Sequence, residues 1–146
     1  MVMKHENPRF WSSRNILSTL LIPAACVYYY ISKKCYARIK PTKIPIPVIC
    51  VGNVTVGGAG KTPVALHIGQ LLKDKHINAF FISRGYGGSQ KSPLQVDIQQ
   101  HGADLVGDEP LLLAKILPTI VGRDKVAAAR LAIERGAQAI IMDDGF

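Results

Sequence analysis

The chain has 146 residues, 48% of them hydrophobic, which is ordinary for one globular domain and excludes disorder as the default. A formal net charge of +8 directs attention to anionic partners such as nucleotide phosphates, acidic lipid or nucleic acid, against the plain alternative of solubility. The three cysteines, Cys26, Cys35 and Cys50, form no C-x-x-C pair and have no accompanying histidine cluster, which excludes a zinc site or disulfide framework and fits a reducing cytosol.

In chain order, the first element is apolar. Ile16 to Ile31 reads ILSTLLIPAACVYYYI and carries no charge. Arg9 and Arg14 precede it, and Lys33, Lys34, Arg38 and Lys40 follow. A straight helix needs about 20 apolar residues to cross a bilayer, so the segment is at the short end. Pro23 predicts a kink, and Tyr28-Tyr29-Tyr30 suits a headgroup interface. No small-x-small cleavage site follows, which argues against a secretory leader. Two readings stay open: a membrane anchor, spanning or lying in the interface, and a buried or interfacial helix opening a soluble domain. The larger basic cluster follows the segment, which keeps the next domain in the cytoplasm. Residues 1–40 are therefore set apart as an apolar, basic, membrane-associating helix region.

Pro41, Pro45 and Pro47 mark a proline-rich linker over residues 41–47, because proline cannot continue a helix. From residue 48 strand and helix patterns alternate. Val48–Val51 is wholly apolar, as in a buried parallel strand, so Cys50 within it reads as a small hydrophobe, as does Cys26 in its own apolar run. Thr62 to Lys75 places Val64, Ala65, Ile68, Leu71 and Leu72 on one helical face. Ala79–Ile82 is a second buried strand, and Leu94, Val96 and Ile98 alternate as in an edge strand. Pro110 to Leu117 predicts a helix, Asp124 to Arg135 another ended by Gly136, and Ala139–Met142 a last buried strand. The pattern predicts an α/β fold: a P-loop NTPase-like, mostly parallel sheet flanked by helices, over residues 48–146, preceded by the apolar helix.

The strongest chemical motif is Thr55-Val56-Gly57-Gly58-Ala59-Gly60-Lys61-Thr62. It falls between a strand and a helix, where glycines let backbone N–H groups approach phosphate oxygens and the helix adds its positive end. Lys61 then reaches the β- and γ-phosphates, and the Thr62 hydroxyl is a ligand for Mg²⁺. The usual P-loop begins with glycine, where this chain has Thr55, and Val56 stands where one P-loop subgroup carries a signature lysine. Asp143 and Asp144 end an apolar strand, the Walker B pattern for holding Mg²⁺; a turn-forming Asp-Asp-Gly is the alternative. In Gly107-Asp108-Glu109-Pro110 one acid is either a helix cap or a general base or metal ligand. Arg84, in Arg-Gly-Tyr-Gly-Gly, is either a phosphate clamp or part of a surface turn. Arg123 either meets an anionic substrate or is solvated. His5, His67, His76 and His101 have no ligand or triad spacing and read as structural or exposed.

Taken in order, V-G-N-V-T-V-G-G-A-G-K-T-P, R-G-Y-G-G, G-D-E-P, V-G-R-D-K and D-D-G-F closely resemble the tetraacyldisaccharide 4′-kinase family of lipid A biosynthesis, over its N-terminal half. The resemblance implies transfer of the γ-phosphate of ATP to the 4′-hydroxyl of a tetraacylated glucosamine disaccharide 1-phosphate. It implies that Thr55 to Thr62 bind ATP, with Lys61 acting on the transferred phosphate. It further implies that Asp108 activates the sugar hydroxyl and that Glu109, Asp143 and Asp144 organise Mg²⁺. The implied partners are the acylated lipid and the cytoplasmic face of the bacterial inner membrane, not nucleic acid. Threonine at position 55 is similar to the family's own loop. Family chains continue past D-D-G-F to Gln and His, so the resemblance implies an incomplete domain here, with little kinase activity from these 146 residues. Two rivals stay open: a P-loop ATPase or GTPase switch, against which the chain shows no N-K-x-D motif, and a truncated product that binds nucleotide without turnover.

Overall fold

The computed structural model describes residues 19–38, 41–52 and 60–143. The chain divides into two units, Met1–Pro41 and Thr42–Phe146. In the first, helix α1 spans Ile22–Arg38 and buries none of its residues. Thr19 and Leu20 are helical and Leu21 is a turn, so Pro23 sits in the first turn of α1. That is the position where a proline lacking its N–H costs least. The helix does not stop with the apolar run but continues through Lys33 and Lys34, with the Lys34 ammonium 5.9 Å from the Tyr30 ring centre, one turn back. Tyr28, Tyr29 and Tyr30 are each about 100° apart around the axis, so they mark no single face. Among the described residues no helix is long and apolar enough to cross a membrane.

The second unit is a five-stranded sheet with helices on both faces. Its elements are β1 (Val48–Val51), α2 (Lys61–Asp74), β2 (Ala79–Ser83), β3 (Leu94–Gln95), α3 (Ala103–Val106), α4 (Asp108–Ala114), β4 (Thr119–Val121), α5 (Lys125–Glu134) and β5 (Ala139–Asp143). The sheet order is β1-β5-β2-β4-β3. All neighbours are parallel except β3, which runs antiparallel to β4. The α/β expectation with a mostly parallel sheet is therefore met.

Alternation along the strands explains why the central ones are apolar throughout. Ala79 and Phe81 of β2, with Ala139 and Ile141 of β5, pack against Ala65 of α2 and Leu113 of α4. Phe80, Ile82 and Ile140 pack on the other face against Ala128, Ala129 and Ala132 of α5. A strand covered on both faces has no polar side to display. Phe81 is fully buried between α2 and the sheet. Truncating such a phenylalanine to alanine costs about 3–5 kcal/mol.

Several boundaries differ from the sequence reading. The helix expected from Pro110 starts two residues earlier, at Asp108, and ends at Ala114. The alternating stretch at Leu94–Ile98 forms only a two-residue strand, extended by the Val96 N–H donating to the Thr119 carbonyl. Strand β4 was not anticipated, although Pro118 and Gly122 bracket its three apolar-type residues. Cys26 and Cys50, read as small hydrophobes, are both exposed. Asp124, where the sequence reading began a helix, caps α5: its carboxylate accepts from the Val126 and Ala127 N–H groups at 2.9 and 3.1 Å.

Candidate functional site

The parallel strands β1, β5, β2 and β4 end on one edge of the sheet, and the predicted site residues lie at or just beyond those ends. In open α/β sheets ligands bind along this edge. Four places along it can be followed in sheet order.

At the first, β1 ends at Val51 and the chain passes into the glycine-rich segment. Thr55, Val56, Gly57, Gly58 and Ala59 lie outside the described residues. The description resumes at Gly60, which has φ +74° and hands the chain to α2. Lys61 and Thr62 are the first two residues of that helix and are half-buried. At the second, β5 ends at Asp143, whose Cα registers with Val51 of β1. Its carboxylate is almost completely buried, at 2% exposure. A buried carboxylate beside the strand that feeds a glycine loop and a helix N-terminus is the arrangement expected for holding a phosphate-bound cation. Asp144 lies outside the described residues.

At the third and fourth places, Arg84 follows β2 and Arg123 follows β4. They share a cleft of about 540 Å³ with Tyr86, Glu109 and the glycines of the turn. Two arginines and an acid from three separate segments thus meet in one cavity. Sequence reasoning treated them as unrelated turns, because the segments are far apart in the chain and only β4, the strand it missed, brings Arg123 beside Arg84. It also missed Tyr86, which is 90% exposed and stands in the same cleft. An aromatic between glycines, in Gly85-Tyr86-Gly87, was the available signal.

The cleft is held by backbone packing. A Cβ on Gly88 would lie 2.5 Å from the Leu105 carbonyl oxygen, and one on Gly107 2.6 Å from the Tyr86 oxygen. Gly107 also has φ +90°, which side chains rarely adopt. The Ser89 and Gln90 N–H groups donate to the Asp104 and Leu105 carbonyls at 3.0 Å. The Arg84–Gly88 turn is therefore clamped onto the turn that precedes Asp108.

Gly107, not an acid, is the cap residue of α4, and it makes no side-chain cap hydrogen bond. This removes the capping explanation for Asp108 and Glu109, which occupy the first turn and are exposed. Glu109 lines the cleft with the arginines; Asp108, one residue earlier, points about 100° away around the helix. Among the described residues no three of His, Cys, Asp or Glu cluster as a metal site. A site shared with a nucleotide does not require such a cluster, since Mg²⁺ takes one or two carboxylates and draws its remaining ligands from phosphates and water. The histidines behave as structural or exposed groups: His101 Nδ1 accepts from the Asp97 N–H at 3.0 Å, His67 and His76 are exposed, and His5 lies outside the described residues.

The sequence model of the tetraacyldisaccharide-1-P 4′-kinase family matches residues 17–146. The chain belongs to the tetraacyldisaccharide 4′-kinase family. It is 51% identical over 140 residues to the tetraacyldisaccharide 4′-kinase of Methylobacterium nodulans, covering 94% of this chain and 41% of that protein. The kinases of Rhodopseudomonas palustris strain BisA53 and Rhodospirillum rubrum are 48% and 45% identical, over 97% and 94% of this chain and 41% and 42% of theirs. The fold is similar to that of LpxK from Aquifex aeolicus, solved in complex with ATP, with a TM-score of 0.72 and 32% identity over 89% of this chain and 44% of that one. The chain spans less than half the length of the curated relatives it matches.

Proposed function

We propose that this chain forms the nucleotide-donor half of a lipid-sugar kinase, which transfers the γ-phosphate of ATP to the 4′-hydroxyl of a tetraacylated glucosamine disaccharide 1-phosphate. The observation that carries this reading is the order along the sheet edge. Asp143 ends β5 beside the end of β1, α2 begins at Lys61, and the arginine cleft opens at β2 and β4. Strands are spaced about 4.8 Å apart, so the middle of the β1–β5 pair and the middle of the β2–β4 pair are separated by roughly 10 Å. That span suits a phosphate chain laid from the loop toward an acceptor.

Residues Thr55 to Thr62 bind the triphosphate in this reading, with Lys61 on the β- and γ-phosphates. The acceptor hydroxyl oxygen attacks the γ-phosphorus, the bond to the β-phosphate oxygen breaks, and ADP leaves. Asp108 takes the hydroxyl proton. Arg84 and Arg123 hold an anionic part of the acceptor, for which guanidinium groups are suited. The hard oxygen donors of Thr62, Asp143 and Asp144 fit Mg²⁺, which when bound would neutralise phosphate charge, whereas Glu109 lies with the arginines in the cleft and apart from that set.

The domain reading follows the same logic. Residues 1–40 associate with the cytoplasmic face of the inner membrane, residues 41–47 link, and residues 48–146 form a P-loop NTPase-like portion. Exposed tyrosines and the lysines of α1 support an interfacial placement, since aromatic rings favour the headgroup level and cations favour an anionic leaflet. The acyl chains keep the acceptor in the same bilayer.

The test is a chimera in which residues 17–146 replace the matched part of the Methylobacterium nodulans kinase, supplied with ATP, Mg²⁺ and the acylated disaccharide. Formation of the 4′-phosphate is expected. A folded chimera that binds ATP and yields no phosphorylated lipid sinks the reading.

A further inference from the structure

β2 is apolar until its last residue. Ala79, Phe80, Phe81 and Ile82 are followed by Ser83, and all five are buried. Ser83 is 5% exposed and lines the arginine cleft. Among the described residues, the only other polar side chains buried as deeply are those of Thr119 and Asp143.

The two buried hydroxyls are satisfied differently. Thr119, at the start of β4, donates to the Leu117 carbonyl at 3.1 Å. The Ser83 hydroxyl only accepts: the Gly85 N–H donates to it, at the long distance of 3.4 Å. That contact places its oxygen at the Arg84–Gly85 turn, and no described residue accepts its proton. A hydroxyl buried without using its donor is destabilising, and alanine would fill nearly the same space without that penalty.

The neighbours of Ser83 indicate what takes the proton's hydrogen bond. β5 ends at Asp143 and β2 at Ser83, each one residue beyond the paired Met142 and Ile82. The two side chains therefore stand at one level on adjacent strands. Alternation puts both on the face of Ile141 and Phe81, which α2 and α4 cover. Both helices begin at this edge, α2 with Lys61 and α4 with Asp108. On its other side Ser83 registers with Val121 of β4, two residues before Arg123. Ser83 thus lies between the lysine and carboxylate of the donor side and the arginines of the cleft. In phosphoryl transfer the group that passes between those two sides is the phosphoryl group itself.

We infer that Ser83 is a further contact residue of the transfer, whose hydroxyl donates a hydrogen bond to a non-bridging oxygen of the γ-phosphoryl group as that group moves from donor to acceptor. The inference rests on the kinase reading. The acceptor oxygen bonds to the γ-phosphorus, the bond to the β,γ-bridging oxygen breaks, that oxygen leaves on ADP, and the acceptor's proton goes to Asp108. Ser83 keeps its own proton throughout. Charge spreads over the non-bridging oxygens in the transition state, so the contact is strongest there and its loss falls on kcat.

The test is made in the chimera with two variants. Ser83→Ala removes one oxygen atom. Thr119→Ala removes the equally buried hydroxyl at the opposite end of the neighbouring strand. Ser83→Ala is expected to lower kcat about tenfold or more, the worth of a hydrogen bond to a charged oxygen. The KM values for ATP and for the acceptor stay constant, and the melting temperature is unchanged or raised. Calorimetric binding of ADP with aluminium fluoride, a mimic of the phosphoryl group in transit, weakens by a similar factor while ADP alone binds as before. Thr119→Ala is expected to lower the melting temperature and to leave kcat and the binding of the mimic unmoved. An unchanged kcat in Ser83→Ala overturns the assignment, as does an equal loss of kcat in Thr119→Ala. A raised acceptor KM at constant kcat also overturns it, by making Ser83 a contact of the resting lipid. A parent chimera that forms no 4′-phosphate defeats the kinase reading instead, and binding of the mimic, which needs no product, still reports on Ser83.

Discussion

The two ends of the functional edge are built in different ways. At β1 and β5 the proposed donor side depends on contiguous motifs: a glycine-rich sequence that precedes α2, and an acid closing a strand. At β2 and β4 the cleft is assembled from three separate segments, Arg84–Gly88, Gly107–Glu109 and Arg123. A phosphate is recognised largely by backbone N–H groups, which one short stretch of chain supplies. An acceptor needs side chains converging from several directions, which only tertiary packing supplies. The donor end is therefore local in sequence and the cleft is not.

That contrast can be tested by separating the two ends, using the chimera and ranking variants by expected effect. Lys61→Ala should lower transfer about 10³-fold, the scale of removing one preorganised charge donor, while acceptor binding is unchanged in a direct lipid-binding assay. Asp143→Asn keeps the shape and removes the charge. It should lower transfer about 10²-fold and flatten the Mg²⁺ dependence of ATP binding measured by calorimetry. An unchanged Mg²⁺ titration would remove Asp143 from the donor side.

The cleft variants should leave ATP binding alone. Gly107→Ala introduces a Cβ 2.6 Å from the Tyr86 oxygen at φ +90° and should cost about 2 kcal/mol or more in thermal unfolding. Arg84→Ala and Arg123→Ala should each raise the acceptor KM about 20-fold, the worth of a charge-assisted hydrogen bond, with the KM for ATP constant. A rise in both KM values would show that the two ends are not separable. The smallest effect is structural: Asp124→Ala removes the cap that accepts from Val126 and Ala127 and should cost about 1 kcal/mol of stability with both KM values unmoved.

The sequence by itself determined the α/β class, the core strands β2 and β5, the helix α5 and the family. These depend on periodicity, helix-ending glycine and contiguous motifs, all of which are local. It also marked Arg84, Glu109 and Arg123 as separate candidates, without relating them. Only the tertiary structure decided that they share one cleft, because a strand of three residues between Pro118 and Gly122 has too little length to show a period, and that strand carries Arg123 to its place. The same holds for Cys50. An apolar strand reads as buried whatever its neighbours, whereas its exposure depends on which strand lies beside it, and strand order is a long-range property that no short window of sequence contains. For the acids at Asp108 and Glu109 the sequence left capping and chemistry as equals. The backbone decided between them by giving the cap position to Gly107, whose positive φ begins the helix without either carboxylate.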